Sequence, residues 1–216
     1  MKKGIKVHLL VIDPQVDFMD SPKSALPVSG ANGDMNRLSA MIYRIGDKLE
    51  DVHVTLDSHR VIDVAHPGMW ENQAGKQPAP FTIISADDIK NEIWLPRNHN
   101  AKPATLGGKT LGAYMLGYAR TLEQGGKYPL MIWPEHCLIG TPGHNVQPEL
   151  AATLQKWERD NFATVNYVTK GTSPFTEHYG GLQAEVPLAN DPSTGLNSTL
   201  LNVLAQADIV VVAGEA

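Results

Sequence analysis

Asp57 and His59, in the run Val54-Thr55-Leu56-Asp57-Ser58-His59, have the side-chain types of a metal-ligand pair. Val, Thr and Leu suit a pleated, half-buried strand, and residues two apart on a strand face the same way. A carboxylate and an imidazole would then stand side by side at the strand's carboxyl end, the edge where open α/β sheets hold ligands. His66 and His136, the latter in Trp133-Pro134-Glu135-His136-Cys137, could complete the set. One carboxylate with several imidazoles suits zinc or another borderline divalent metal better than calcium or magnesium. Spacing alone leaves a second option open, since Asp-x-His is common where nothing is bound.

The elements that must position these residues follow from hydrophobic patterning. Residues 6–12 form a short, nearly continuous apolar run ending at Asp13-Pro14, where the missing N–H of proline stops a ladder. Such a run reads as a strand buried on both faces of a parallel sheet. Residues 21–32, rich in Pro, Gly and Ser, read as a loop beside the site. Met35, Leu38, Ile42, Ile45 and Leu49 then recur at helical spacing, and residues 52–57 make a second strand. Strand, helix and strand within this length predict a right-handed βαβ unit.

Further on, residues 81–84 and 130–133 are strand candidates, and Ser85-Ala86-Asp87-Asp88 has capping-box spacing for a helix start. Residues 110–124 and 148–159 are predicted helices, and Pro148 suits a first turn. Residues 163–169 are predicted to form a strand that delivers Lys170, followed by a helix over 196–206 and a strand over 207–214. That last strand, with Ile209-Val210-Val211-Val212, is apolar enough to belong inside a parallel sheet covered on both faces. Its position two residues before Ala216 leads to the expectation of a chain truncated at its carboxyl end, or of a strand covered by another polypeptide.

Bulk properties narrow the function classes. With 216 residues the chain can build one sizeable α/β domain or two small ones. A net charge of −5 without a Lys/Arg cluster argues against nucleic acid, and no apolar run approaches a membrane span. The single cysteine, Cys137, excludes an intrachain disulfide and fits a reducing compartment; with no signal-peptide pattern, the expectation is cytoplasmic.

Four predicted strands each hand a functional-type residue to the following loop: Asp13, Asp57 with His59, Lys170, and Gly214-Glu215-Ala216. Carboxyl ends of parallel strands lie on one edge, so these residues could share one cleft, although Asp and Lys also follow strands as plain solvated ends. The runs Val11-Ile12-Asp13-Pro14-Gln15-Val16-Asp17-Phe18 and Ser24-Ala25-Leu26-Pro27-Val28 resemble the amino-terminal motif of the nicotinamidase/isochorismatase-like cysteine hydrolases. Asp57-Ser58-His59, His66, and Trp133-Pro134-Glu135-His136-Cys137 with Gly140-Thr141-Pro142-Gly143 resemble the metal branch, the nicotinamidases. Val168-Thr169-Lys170-Gly171 is similar to the segment bearing the catalytic lysine, and residues 211–216 to the approach to the nucleophile.

The resemblance implies a three-layer α/β/α Rossmann-like fold with a mainly parallel sheet, in a single domain over residues 1–216. It implies hydrolysis of nicotinamide or a related carboxamide to acid and ammonia, and so a place in pyridine nucleotide salvage. A cysteine would attack the carboxamide, Asp13 would take the thiol proton, and Lys170 would support the charged state. Asp57, His59, His66 and His136 would hold a divalent metal, zinc first and iron or manganese next, that orients the substrate. Phe18 and Trp133 would line the pocket, with core packing as the alternative for both, and Ala216 would belong to the oxyanion hole. The implied partner is a small carboxamide, with a homo-oligomer left open.

Two departures stand out. The family's nucleophile falls about four residues beyond the position of Ala216, and Cys137 is a poor substitute, because neighbours on an extended segment point opposite ways. The 216-residue chain alone is therefore expected to be inactive. Residues 75–127 look like an insertion between the metal-ligand segments, and this bears on substrate choice. Two alternatives remain: an isochorismatase-like hydrolase of another small substrate, and a non-catalytic binding or scaffold protein that has lost its nucleophile.

Overall fold

The structure is a computed structural model describing residues 4–215. Its regular elements are β1 (Val7–Ile12), α1 (Ala31–Ile45), β2 (Leu49–Asp57), β3 (Trp70–Glu71), α2 (Ala86–Lys90), β4 (Leu95–Pro96), α3 (Leu111–Gly125), α4 (Pro148–Asn161), β5 (Asn166–Lys170), α5 (Ser198–Leu204) and β6 (Ile209–Gly214). The chain divides into two compact units, one comprising Met1–Ser58, His136–Lys170 and Asn197–Ala216, the other His59–Glu135 and Gly171–Leu196.

The first unit is built on a four-stranded sheet of order β5-β2-β1-β6 in which every pairing is parallel. Alternation along the strands turns Leu9 and Val11 of β1 and Val52 and Val54 of β2 to one face. Met35, Leu38 and Ile42 of α1 cover that face together with Leu150, Leu154 and Trp157 of α4. The spacing of the α1 residues is the helical one read from the sequence, and the helix starts slightly earlier, at Ala31. Gly30 precedes it with φ of 89°, a left-handed conformation that a Cβ would oppose. The indole N–H of Trp157 donates to the Gly46 carbonyl at 3.0 Å, fixing α4 against the chain that leaves α1.

β6 departs from its expected place. Among the described residues it pairs with β1 and lies at the sheet edge, with Ile209 48% and Val212 62% exposed. Apolarity on both faces of a strand reports that both faces suit an apolar cover; it does not specify how many neighbours the strand has in the ladder.

In the second unit α3 presents Leu111, Met115, Tyr118, Ala119 and Leu122 to a core shared with Trp70, Ile84 and Ile132. Ser85 and Asp88 form the reciprocal capping box at the start of α2 that their spacing predicts. Residues 81–84 and 130–133, each expected as a strand, meet in a single antiparallel bridge, Ile83 to Met131. Phe81 has φ of 67°, outside the extended region, so the ladder cannot run past it. The short antiparallel pair β3–β4 was not legible, because its strands are two residues each. Residues 75–127, expected as an insertion, supply α2, β4 and α3 of this unit. No helix among the described residues is long and apolar enough to cross a membrane.

Candidate active site

The parallel sheet of the first unit delivers three charged side chains to its carboxyl edge. Lys170 is the last residue of β5 and pairs in register with Asp57, the last residue of β2, while Asp13 directly follows β1. The Lys170 ammonium lies 3.0 Å from Asp13 Oδ2 and 3.0 Å from Asp57 Oδ1. All three residues are buried. One ammonium thus serves two carboxylates in a poorly hydrated place, where charge is held only with good pairing.

Asp13 sits at φ of 43°, a left-handed conformation that Asp tolerates better than most residues. Its N–H donates to Thr55 Oγ1 at 3.0 Å, and the Thr55 hydroxyl donates back to Asp13 Oδ1 at 2.5 Å. Burial raises the Asp13 carboxyl above its ordinary pKa; Lys170 opposes this, and the charge of Asp57 adds to it. A carboxylate with a raised pKa beside an ammonium is a better proton acceptor than a solvated one.

Gln15 holds the neighbouring strand end. Its amide accepts from the Asp57 N–H at 2.6 Å and donates to the Asp57 carbonyl at 2.7 Å and the His144 carbonyl at 3.0 Å. His136 Nε2 lies 3.3 Å from Asp57 Oδ2, and the Phe18 ring meets the His136 ring edge-on with centroids 5.5 Å apart. His144 Nε2 lies 2.8 Å from the Ser58 hydroxyl, which donates to the Leu56 carbonyl.

Cys137 is wholly buried. Its N–H donates to Asp17 Oδ2 at 2.7 Å, and Asp17 fills the space that a Cβ on Gly143 would need. Burial pushes the thiol pKa far up, and Asp57, Asp17 and Asp13 push it further, against a smaller opposing effect of Lys170. A thiol so placed stays protonated at neutral pH and is a poor nucleophile.

In the second unit His59 and His66 are buried with ring centroids 4.8 Å apart. His59 Nδ1 is 3.1 Å from Asp63 Oδ2, and His66 Nδ1 is 3.1 Å from the Arg60 carbonyl. Rings oriented through Nδ1 by a carboxylate and a carbonyl have the outer-shell arrangement usual for histidine ligands that bind through Nε2. Trp133, also in this unit, brings its indole N–H to 3.4 Å from the Tyr179 hydroxyl and meets Phe81 edge-on.

The residues anticipated from sequence are therefore placed as follows. Asp13, Asp57, Lys170, His136 and Phe18 gather in the first unit, and His59, His66 and Trp133 belong to the second. Ala216 lies outside the described residues. Thr55, Gln15 and Asp63 were missed. Thr55 was findable, being two residues before Asp57 on the same strand face. Gln15 and Asp63 act through irregular backbone, which carries no periodicity to read.

The strand ends of a parallel α/β sheet converge here on a buried Lys–carboxylate cluster, and solved structures that share this fold include nicotinamidases. The yeast nicotinamidase Pnc1p bound to the inhibitor nicotinaldehyde matches 97% of this chain and 75% of its own, with a TM-score of 0.61 at 17% identity. An Acinetobacter baumanii nicotinamidase pyrazinamidase matches 100% and 73%, with a TM-score of 0.58 at 19% identity. PnC1 from L. infantum in complex with nicotinate matches 100% and 71%, with a TM-score of 0.50 at 16% identity. No protein-family model and no curated protein sequence matches the chain. At such identities the likeness is one of fold: the isochorismatase-like α/β fold with a mainly parallel sheet.

Proposed function

We propose that the protein is a cysteine amidohydrolase that converts nicotinamide, or a related carboxamide, to the acid and ammonia. The observation that carries this is the Lys170 ammonium held 3.0 Å from both Asp13 and Asp57 at one sheet edge. The nicotinamidase names of the fold neighbours support the same class.

Asp13 accepts the proton of the attacking thiol, and Lys170 stabilises the ion pair so formed. The thiolate adds to the carboxamide carbon, ammonia leaves with a proton, and water hydrolyses the thioester to the acid. Burial of Cys137 and its elevated pKa argue against that thiol as the nucleophile. Asp57, His59, His66 and His136 are the proposed holders of a divalent metal; a carboxylate and three imidazoles fit zinc best, and iron or manganese next. Bound there, the ion would supply a Lewis-acid contact that orients the substrate ring or a water. Phe18, edge-on to His136, would present an apolar wall to the same ring.

A second reading, a carboxamide-binding protein without chemistry, rests on Cys137 being the single cysteine of these 216 residues and buried. Ammonia release from nicotinamide, assayed on the protein isolated from its source, separates the two. The hydrolase releases ammonia and keeps its rate in Cys137→Ala. Loss of activity in Cys137→Ala would make Cys137 the nucleophile after all, and no release at all would favour the binding protein.

A further inference from the structure

His8, Asp51 and His53 lie on one face of the first unit's sheet, opposite the face packed by α1 and α4. His8 pairs in register with Asp51, and His53 follows Asp51 by two residues, so all three side chains project together. Leu9, Val52 and Val54 point the other way into the apolar core. A central sheet is an expensive place for two imidazoles unless they have partners. Both are nonetheless buried, at 2% and 1% exposure.

One donor atom from each of the three residues lies within 4.8 Å of the other two. His53 Nε2 and His8 Nδ1 are 3.3 Å apart. Nitrogens on a tetrahedral zinc, at roughly 2.0–2.1 Å from the metal, stand about 3.3 Å from one another. Asn166, in register with His53 on β5, brings its side-chain amide to 3.1 Å from His53 Nδ1. Here the amide nitrogen faces Nδ1; ligation through Nε2 requires the amide to turn so that its oxygen accepts from the Nδ1–H, the contact that outer-shell partners of metal-bound histidines make. Burial keeps the His53 imidazole below its usual pKa, opposed by Asp51 and reinforced by His8, and ligation requires the neutral ring. The Asp51 side chain is 45% exposed, which gives an ion a way in from solvent.

We propose that His8, Asp51 and His53 form a second divalent-metal site of the zinc class, separate from the set at the carboxyl edge. The donor set is two imidazoles and one carboxylate, with water completing the coordination.

Cobalt(II) titration of the metal-free 216-residue chain, followed by visible absorption and by metal content after gel filtration, tests this. With both sites functional the chain binds two equivalents. Asp51→Asn then loses one, His66→Ala loses the other, and the double variant binds none. If the set containing His66 does not bind, the chain takes one equivalent, kept in His66→Ala and lost in Asp51→Asn; the second site then stands while the metal of the proposed hydrolase falls. One equivalent that disappears in His66→Ala and persists in Asp51→Asn overturns the proposal, as does no binding at all. Imidazole nitrogen shifts of His8 and His53 in the unaltered chain on adding zinc give a readout independent of variant folding. Unmoved shifts mean a hydrogen-bonded histidine pair only, and refute the site.

Discussion

At the scale of single residues, the decisive feature is one cation shared by two buried acids. Lys170 lies against Asp13 and Asp57, all three nearly out of water, so the cluster is stable only as a set. Lys170→Ala removes the shared cation from both carboxylates and is expected to cost about 3–5 kcal/mol in denaturant unfolding at neutral pH. The pH dependence has a definite sign. Burial already raises the folded-state pKa of Asp13, and losing Lys170 raises it further. A carboxyl whose folded pKa exceeds its unfolded value, about 3.9, carries no penalty below that value and an increasing one as pH rises through the folded pKa. The variant's deficit should therefore shrink toward wild type as pH falls to about 4. A deficit that is constant from neutral pH to pH 4 would show that lost packing, not uncompensated charge, is responsible.

At the scale of elements, the sheet turns sequence order into a site, and one helix end shows local strain. Phe162 ends α4 at φ of 50° with its side chain fully exposed. A left-handed non-glycine residue costs roughly 1–2 kcal/mol, which no contact of an exposed ring offsets. Phe162→Gly is expected to raise the urea midpoint by the equivalent of about 1 kcal/mol, after glycine's own entropy loss. An unchanged or lower midpoint would mean the ring packs in solution. The strands leading to Asp13, Asp57 and Lys170 were legible from the apolar run of β1 and from the β-branched and aromatic residues of β2 and β5, and parallel pairing then brings those ends to one edge. α1, α3 and α4 were legible for the corresponding helical reason, within a few residues at their ends. The bridge between Ile83 and Met131 and the clamp of Gln15 on Asp57 were not, because both depend on contacts between segments distant in sequence and on irregular backbone. The pairing of His8 with Asp51 was hidden for another reason: a histidine in an apolar run reads as an interruption until its cross-strand partner is known.

At the scale of the whole molecule, the chain crosses between the two units four times, at Ser58/His59, Glu135/His136, Lys170/Gly171 and Leu196/Asn197. The proposed metal ligands Asp57, His59 and His136 flank the first two crossings in sequence, with His66 soon after the first. A ligand bound only by the folded state stabilises it by mass action, by about 2.7 kcal/mol at a hundredfold excess over Kd. Stripping the protein with a chelator should therefore lower its thermal midpoint by several degrees, and zinc should restore it. A midpoint indifferent to both would remove the metal from the proposed function while leaving the Asp13–Lys170 chemistry in place. That chemistry is the central claim, and the rate of ammonia release from nicotinamide by the protein from its source, wild type against Asp13→Asn, tests it most directly. As the proton acceptor, Asp13 predicts a fall in kcat of about 10²–10⁴-fold with little change in KM. Asp13→Asn turning over nicotinamide at the wild-type rate would contradict it.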